Sequence, residues 1–296
     1  LSRGSNPNLL DDNHESCIFE AVRRDNLELI DLLVQHGASL NINNNEDMSP
    51  LIIMIKLKNI PGIEHLISIG SEVSFEDRFG RNSLHWAINF ADHTANSSFE
   101  IEDILIKAGV EINKKDLLGR TPLHYPFVKI GSVTTDHMVD PIESVNSLLA
   151  KKNLRVDEPD IFGNSPLVYA AQRGSLVSAL YLIDREADLD AVNLEGNSVL
   201  AVAMIAGHDH LAITLLNKGA KWNTAVRIYT PQKREHVYAN AMAHVVDRSL
   251  PADQVKSSVL TALDTPDLDA EKKTPGYNKI IEIHTFRLAI RNNWQG

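Results

Sequence analysis

The chain has almost no cysteine: Cys17 stands alone among 296 residues. That excludes a disulfide scaffold, because the thiol has no partner within the chain. No run reaches the ~18 consecutive apolar residues of a membrane span, and the first residues carry no charged-then-apolar signal segment. A basic surplus is also missing: 29 Lys+Arg stand against 39 Asp+Glu, for a net charge of −10. Such a chain is poorly suited to bind a phosphate backbone by bulk charge. Aromatic residues are scarce at 6%, yet 43% of the residues are hydrophobic, too many for wholesale disorder.

The charge is unevenly spread. Residues 224–296 hold ten basic and eight acidic side chains, leaving residues 1–223 with a balance of −12. The two stretches are built differently.

What the chain does have is self-similarity, the first thing to seek in a chain of this length. Leu51, Leu84, Leu123, Leu167 and Leu200 sit in related words: Met48-Ser49-Pro50-Leu51, Asn82-Ser83-Leu84-His85, Thr121-Pro122-Leu123-His124, Ser165-Pro166-Leu167 and Ser198-Val199-Leu200. Ile18 holds the same place in a first unit, and from it the spacings run 33, 33, 39, 44 and 33. A base period of 33 with insertions of 6 and 11 residues accounts for the series. A second apolar block closes each unit on a small residue, as in Ile213-Thr214-Leu215-Leu216 before Gly219-Ala220. The pattern predicts helix, tight turn, helix, then an extended loop. The Ser/Thr-Pro word starts the first helix, with a hydroxyl cap and proline at the first position. Gly37, Gly70, Gly109 and Gly219 close second helices, and Gly174 and Gly207 break between paired ones. Asp77-Arg78-Phe79-Gly80, Asp116-Leu117-Leu118-Gly119 and Asp160-Ile161-Phe162-Gly163 are turn words.

Thr121-Pro122-Leu123-His124, the Asp-x-x-Gly turns and Leu215-Leu216-Asn217-Lys218-Gly219-Ala220 together resemble the ankyrin repeat family. The resemblance covers residues 15–223 as about six units, after an N-terminal tail of residues 1–14. It implies an all-α solenoid of stacked helix-turn-helix units with projecting hairpin or loop fingers. Residues 224–283 fit a degenerate repeat with a long loop insertion. Residues 284–296 restart the first-helix word, with Phe286 in the leucine place, and stop about where a second helix begins. A half unit cannot bury its apolar face, so the expectation is a fragment of a longer polypeptide.

No catalytic constellation emerges. Cys17 beside Ile18 reads as a buried structural thiol, and His14-Glu15-Ser16-Cys17 lacks the second histidine of a zinc-protease helix. His208 and His210, two apart, point to different faces of a helix, so neither supports a shared metal. His85 and His124 belong to the capping word, where the family bonds histidine to neighbouring backbone. No glycine-rich phosphate loop and no Gly-x-Ser-x-Gly elbow occurs. The chain is expected to be no enzyme in itself, with no metal and no cofactor.

By the resemblance, a partner meets the fingertips and the exposed, concave side of the first helices. Residue by residue, the candidates are Arg78, Phe79, Arg81 and Phe90 in the third unit, Leu117, Leu118 and Arg120 in the fourth, Ile161, Phe162 and Arg173 in the fifth, and Leu194 in the sixth. Fingertip places that are usually polar are apolar here. Aromatic side chains beside arginine have the composition of binding hot spots, and an exposed apolar stripe marks an interaction surface. The alternative is that neighbouring fingers use these residues to pack on each other. Arg78, Arg81 and Arg120 suit an acidic partner with apolar anchors, or else they pair with turn aspartates such as Asp77 and Asp116. The insertions, between Phe90 and Ile101 and near residues 129–140, lengthen turns between paired helices and offer a second rim.

The expectation is a protein-interaction module for a protein or peptide ligand, with no nucleic acid, no membrane span and an intracellular setting in cytoplasm or nucleus. Its rival is the recognition arm of a multidomain enzyme, such as a tankyrase-like ADP-ribosyltransferase, a kinase or a ligase, whose catalytic domain lies elsewhere.

Overall fold

A computed structural model describes residues 6–91, 97–128 and 140–221. Each apolar block forms a short helix. The helices pair as α1 (Cys17–Arg23) with α2 (Leu27–Gln35), α3 (Pro50–Lys56) with α4 (Ile60–Ser68), and α5 (Ser83–Asn89) with α6 (Ser97–Lys107). Then come α7 (Ile142–Leu149), α8 (Pro166–Arg173), α9 (Leu176–Asp184), α10 (Val199–Ile205) and α11 (Asp209–Asn217). Helices this short are marginal alone and depend on tertiary packing. First helices stack on first helices, α1 on α3, α3 on α5, and α8 on α10.

Local chemistry places the boundaries. Pro50 and Pro166 open α3 and α8, and the Ser49 hydroxyl accepts the Ile52 N–H. The side chains of Asn26 and Asn59 accept N–H bonds from Leu29 and Gly62 at the starts of α2 and α4. Between α8 and α9, Gly174 takes φ +76°, and a Cβ there would lie 2.4 Å from the His208 ring. His208 itself sits over that glycine with Nε2 3.1 Å from the Gln172 carbonyl, which is a packing role.

The fourth unit departs from expectation. Thr121-Pro122 starts only a 3-10 turn, Pro122–His124, where a first helix was predicted. Pro126 is the cause: it has no N–H to give the Pro122 carbonyl, and its ring would clash with that turn. Tyr125 donates its N–H to the Pro122 carbonyl instead, at 3.1 Å, and Leu123, Tyr125 and Phe127 remain buried.

Two compact units result. The first comprises the described residues up to Ile161 together with Leu180–Glu186; the second comprises Phe162–Ala179 and the described residues from Ala187 on. In the first, Ile18, Phe19, Val22, Ile30, Leu51, Met54, Ile63, Leu66, Leu84, Ile101 and Leu105 share one core. In the second, Leu167, Val168, Ala171, Leu200, Ala203, Leu211 and Leu215 are buried. Among the described residues the loops form no strand, and one antiparallel bridge joins Val192 to Ser198. No helix among them is long and apolar enough to cross a membrane.

Cys17, expected in the core, is exposed. It opens α1 on the face of Glu20 and Arg24, turned from Ile18 and Val22, and its Sγ lies 3.3 Å from the Pro7 carbonyl. The degenerate repeat, the restarted word at 284–296 and most of both insertions lie outside the described residues.

Candidate partner-binding surface

Five of the fingers are each built on one side-chain acceptor. The Asp77 Oδ1 takes the N–H groups of Phe79 and Arg81 at 2.8 and 3.0 Å. Asp116 does the same for Leu118 and Arg120, and Asn193 for Glu195 and Asn197. Asn44 serves Glu46 and Met48, and Asp11 serves Asn13 and Glu15. The turn at Asp11–His14 is therefore a finger of the same construction, within the stretch read as a tail. The fourth turn residue has positive φ throughout, at Gly80, Gly119, Gly163 and Gly196 and also at His14 and Asp47.

Main-chain hydrogen bonds join four of the neighbouring pairs of tips, while the second and third are linked by the Arg78–Asp47 pair. In the first unit the Asn45 N–H donates to the Asn13 carbonyl at 3.2 Å, Leu117 to Phe79 at 2.8 Å, and Ile161 to Leu118 at 2.9 Å. In the second, Leu194 donates to Phe162 at 2.9 Å. Close approach is a second reason for glycine: a Cβ on Gly119 would meet the Ile161 nitrogen at 2.9 Å.

The tip side chains are left outside this ladder. Phe79, Leu117, Leu118 and Ile161 of the first unit, and Phe162 and Leu194 of the second, are all exposed, from 39% at Leu118 to 79% at Leu194. The finger-to-finger hydrogen bonds are made by backbone groups.

The arginines divide. Arg81 is buried, with its Nε 2.5 Å from the Asp77 Oδ2, and is not offered to a partner. Its guanidinium lies between the Phe79 and Trp86 rings, 4.7 and 4.3 Å from their centroids. Arg120 is half-buried against Asp116 at 2.9 Å. Arg78 is exposed, but its Nε pairs with Asp47 at 2.8 Å. The basic spot expected to attract an acidic ligand is thus internally paired. Phe90 is half-buried and stacked on Trp86 at 5.2 Å, and Arg173 is half-buried in the last turn of α8.

These pairs belong to a brace that sequence reading missed. The Asp77 Oδ2 also accepts the Trp86 Nε1–H at 3.0 Å, and the Asp116 Oδ2 accepts the Tyr125 hydroxyl at 2.8 Å. Burial beside Asp116 pushes the Tyr125 phenol upward, so it stays a donor. Aspartate, arginine four residues on and a ring donor nine residues on recur in consecutive repeats. That shared offset was the signal available. Charge-assisted bonds of this kind are among the strong ones.

His85 ties the third unit to the fourth within the first compact unit. Its Nδ1 meets the Asn82 N–H at 3.2 Å, its Nε2 faces the Arg120 carbonyl at 3.2 Å, and its ring stands edge-on to Tyr125 at 4.9 Å. Burial lowers its pKa to about 4, so it is neutral. Among the described residues no cluster of three His, Cys, Asp or Glu side chains is placed to hold a metal.

A family model described as ankyrin repeats in three copies matches residues 1–77 and 138–225. The human transient receptor potential cation channel subfamily A member 1 is 32% identical over 217 residues, spanning 72% of this chain and 18% of the channel. A putative ankyrin repeat protein of fowlpox virus (strain NVSL) is 30% identical over 119 residues, 40% of this chain and 19% of the viral protein. The phosphocholine transferase AnkX of Legionella pneumophila is 26% identical over 168 residues, 42% of this chain and 18% of the transferase. The chain spans less than a fifth of the length of each of these relatives.

Proposed function

The chain belongs to the ankyrin repeat family, and from that premise we propose that it binds a protein or peptide partner through its fingertips and the adjoining side of its first helices. Ankyrin repeats generally mediate protein–protein interaction. The observation that carries the finer reading is the exposure of Phe79, Leu117, Leu118, Ile161, Phe162 and Leu194 on tips whose backbones are already satisfied. Exposed apolar side chains are what a partner can desolvate. With Arg81 and Arg120 engaged by their own turns, apolar anchoring dominates over attraction of acidic groups.

The test is selection of peptides from a display library on the whole chain, followed by affinity measurement with Phe79→Ala/Phe162→Ala. Affinity is expected to fall tenfold or more while the urea midpoint of unfolding moves by less than about 1 kcal/mol equivalent, the usual scale for surface changes. Unchanged affinity, or a loss matched by lost stability, would reassign these rings to the fold.

A second reading has the repeats as the recognition arm of a larger catalytic polypeptide. Similarity to the phosphocholine transferase favours it. The coding sequence on both sides of this stretch decides it.

A further inference from the structure

In α2, α4, α9 and α11, the residue seven places before the closing residue of positive φ gives the core a small or branched apolar side chain, whereas α7, closing at Asn153, has the exposed Asn146 there. Ile30 stands so before Gly37, Ile63 before Gly70, Ala179 before Glu186 and Ala212 before Gly219. In α6 the same place, before Gly109, is taken by Glu102, which is fully buried. Its Oε2 is 2.5 Å from the Ser147 Oγ on α7, and its Oε1 has no hydrogen-bond partner. A carboxylate with a bare oxygen in that setting is strongly disfavoured. The carboxylic acid fits instead: a proton on Oε2 is donated to the Ser147 Oγ, and the bare Oε1 becomes an uncharged carbonyl oxygen.

The charges around it do not restore the anion. Lys151, just beyond α7, is the cation acting on Glu102, but it is paired with Asp103 of α6, whose own charge opposes ionisation. On α4, Glu64 is exposed and His65 is turned to Asp31 at 2.8 Å. On α5, His85 faces Asn82 and the Arg120 carbonyl. On α7, Glu143 is exposed. Towards α6, helices α4 and α5 contribute Ile63, Leu66, Leu84 and Trp86 to the shared core.

We propose that Glu102 and Ser147 form a proton-operated latch between α6 and α7, closed while the carboxyl is protonated and loosened when it ionises. The direction follows from burial, which raises the Glu102 pKa from 4.5 to about 7. A carboxyl raised in the folded state stabilises fully below its unfolded value and loses that contribution as pH rises towards the folded value. The latch therefore weakens between about pH 4.5 and 7, and local opening levels off above that.

Hydrogen–deuterium exchange on the whole chain tests this, with protection factors corrected for intrinsic exchange. Between pH 5 and 7, amides of α6 and α7 are expected to lose about 40-fold protection, the slope for one proton flattening towards each pKa, while those of α1 and α2 change far less. Glu102→Gln keeps the size and a neutral donor to Ser147, and its α6 and α7 protection should be flat across that range. Carboxyl-carbon NMR of Glu102 in the wild type supplies an independent reading that does not depend on any variant folding. A pH response of α6 and α7 that survives Glu102→Gln, or a Glu102 titration at the ordinary glutamate value, overturns the latch.

Discussion

The third and fourth fingers and the sixth present similar apolar tips on different supports. In the first unit, Asp77 and Asp116 each gather two backbone N–H groups, an arginine and a ring donor. In the second, Asn193 gathers the two backbone N–H groups alone, and Asn197 stands where the arginine would be. The minimum needed to shape a finger is therefore one side-chain oxygen and one residue of positive φ. The charged brace does something further: it fastens the finger to the helix or turn behind it, through Trp86 and Tyr125. Fingers without a brace keep their shape but gain less anchorage.

The largest effect should come from removing the brace. Asp77→Ala strands the buried Arg81 charge and the Trp86 N–H, and is expected to cost about 3–5 kcal/mol by urea unfolding. Asn193→Ala, which strands neutral groups only, should cost about 1–2 kcal/mol. Equal costs would erase the distinction between the two kinds of finger.

Next is acid. His85 is held neutral with its pKa lowered to about 4, so the folded state resists a proton that the unfolded chain accepts below about 6.5. Its contribution is complete above that value and drains away as pH falls to about 4, by on the order of 3 kcal/mol. A urea midpoint followed from pH 7 to 4 should show this loss, and His85→Gln should reduce it. Persistence of the full loss in that variant would move the cause away from the third and fourth units.

Glycine substitutions sharpen the comparison on a smaller scale. Gly119→Ala meets both a positive φ of +74° and the Ile161 nitrogen, whereas Gly207→Ala meets φ +77° in open space. Thermal unfolding should separate them, with about 2 kcal/mol or more for the first and about 1 kcal/mol for the second. Smallest of all, Leu194→Ala should leave stability within ~0.5 kcal/mol.

The repeat period, the proline and asparagine starts and the glycine stops were all legible, because each is a local requirement written in a single residue type. Trp86 and Tyr125 were harder to read, since their partners lie nine residues back and the link appears only once the finger folds against its own helix or turn. Pro126 was visible, yet the strength of Thr121-Pro122-Leu123-His124 as a start signal concealed that the stop lay four residues on. Cys17 was assigned to the core from the habit of its residue type, although the helical face it shares with Glu20 and Arg24 points outward. Glu102 carries no mark in the sequence, and its burial shows only when its place is compared with Ile30 and Ile63. The apolar tips were legible as residues, but the backbone bonds between fingers needed the structure.

One consequence of the tip-to-tip main-chain ladder concerns change over time. Because N–H and C=O groups set the spacing of neighbouring tips, the side chains at Leu117, Ile161 and Leu194 are exempt from holding it. Those positions can be rewritten one at a time with little loss of foldedness, so the tips can drift in sequence while the frame that displays them stays as it is.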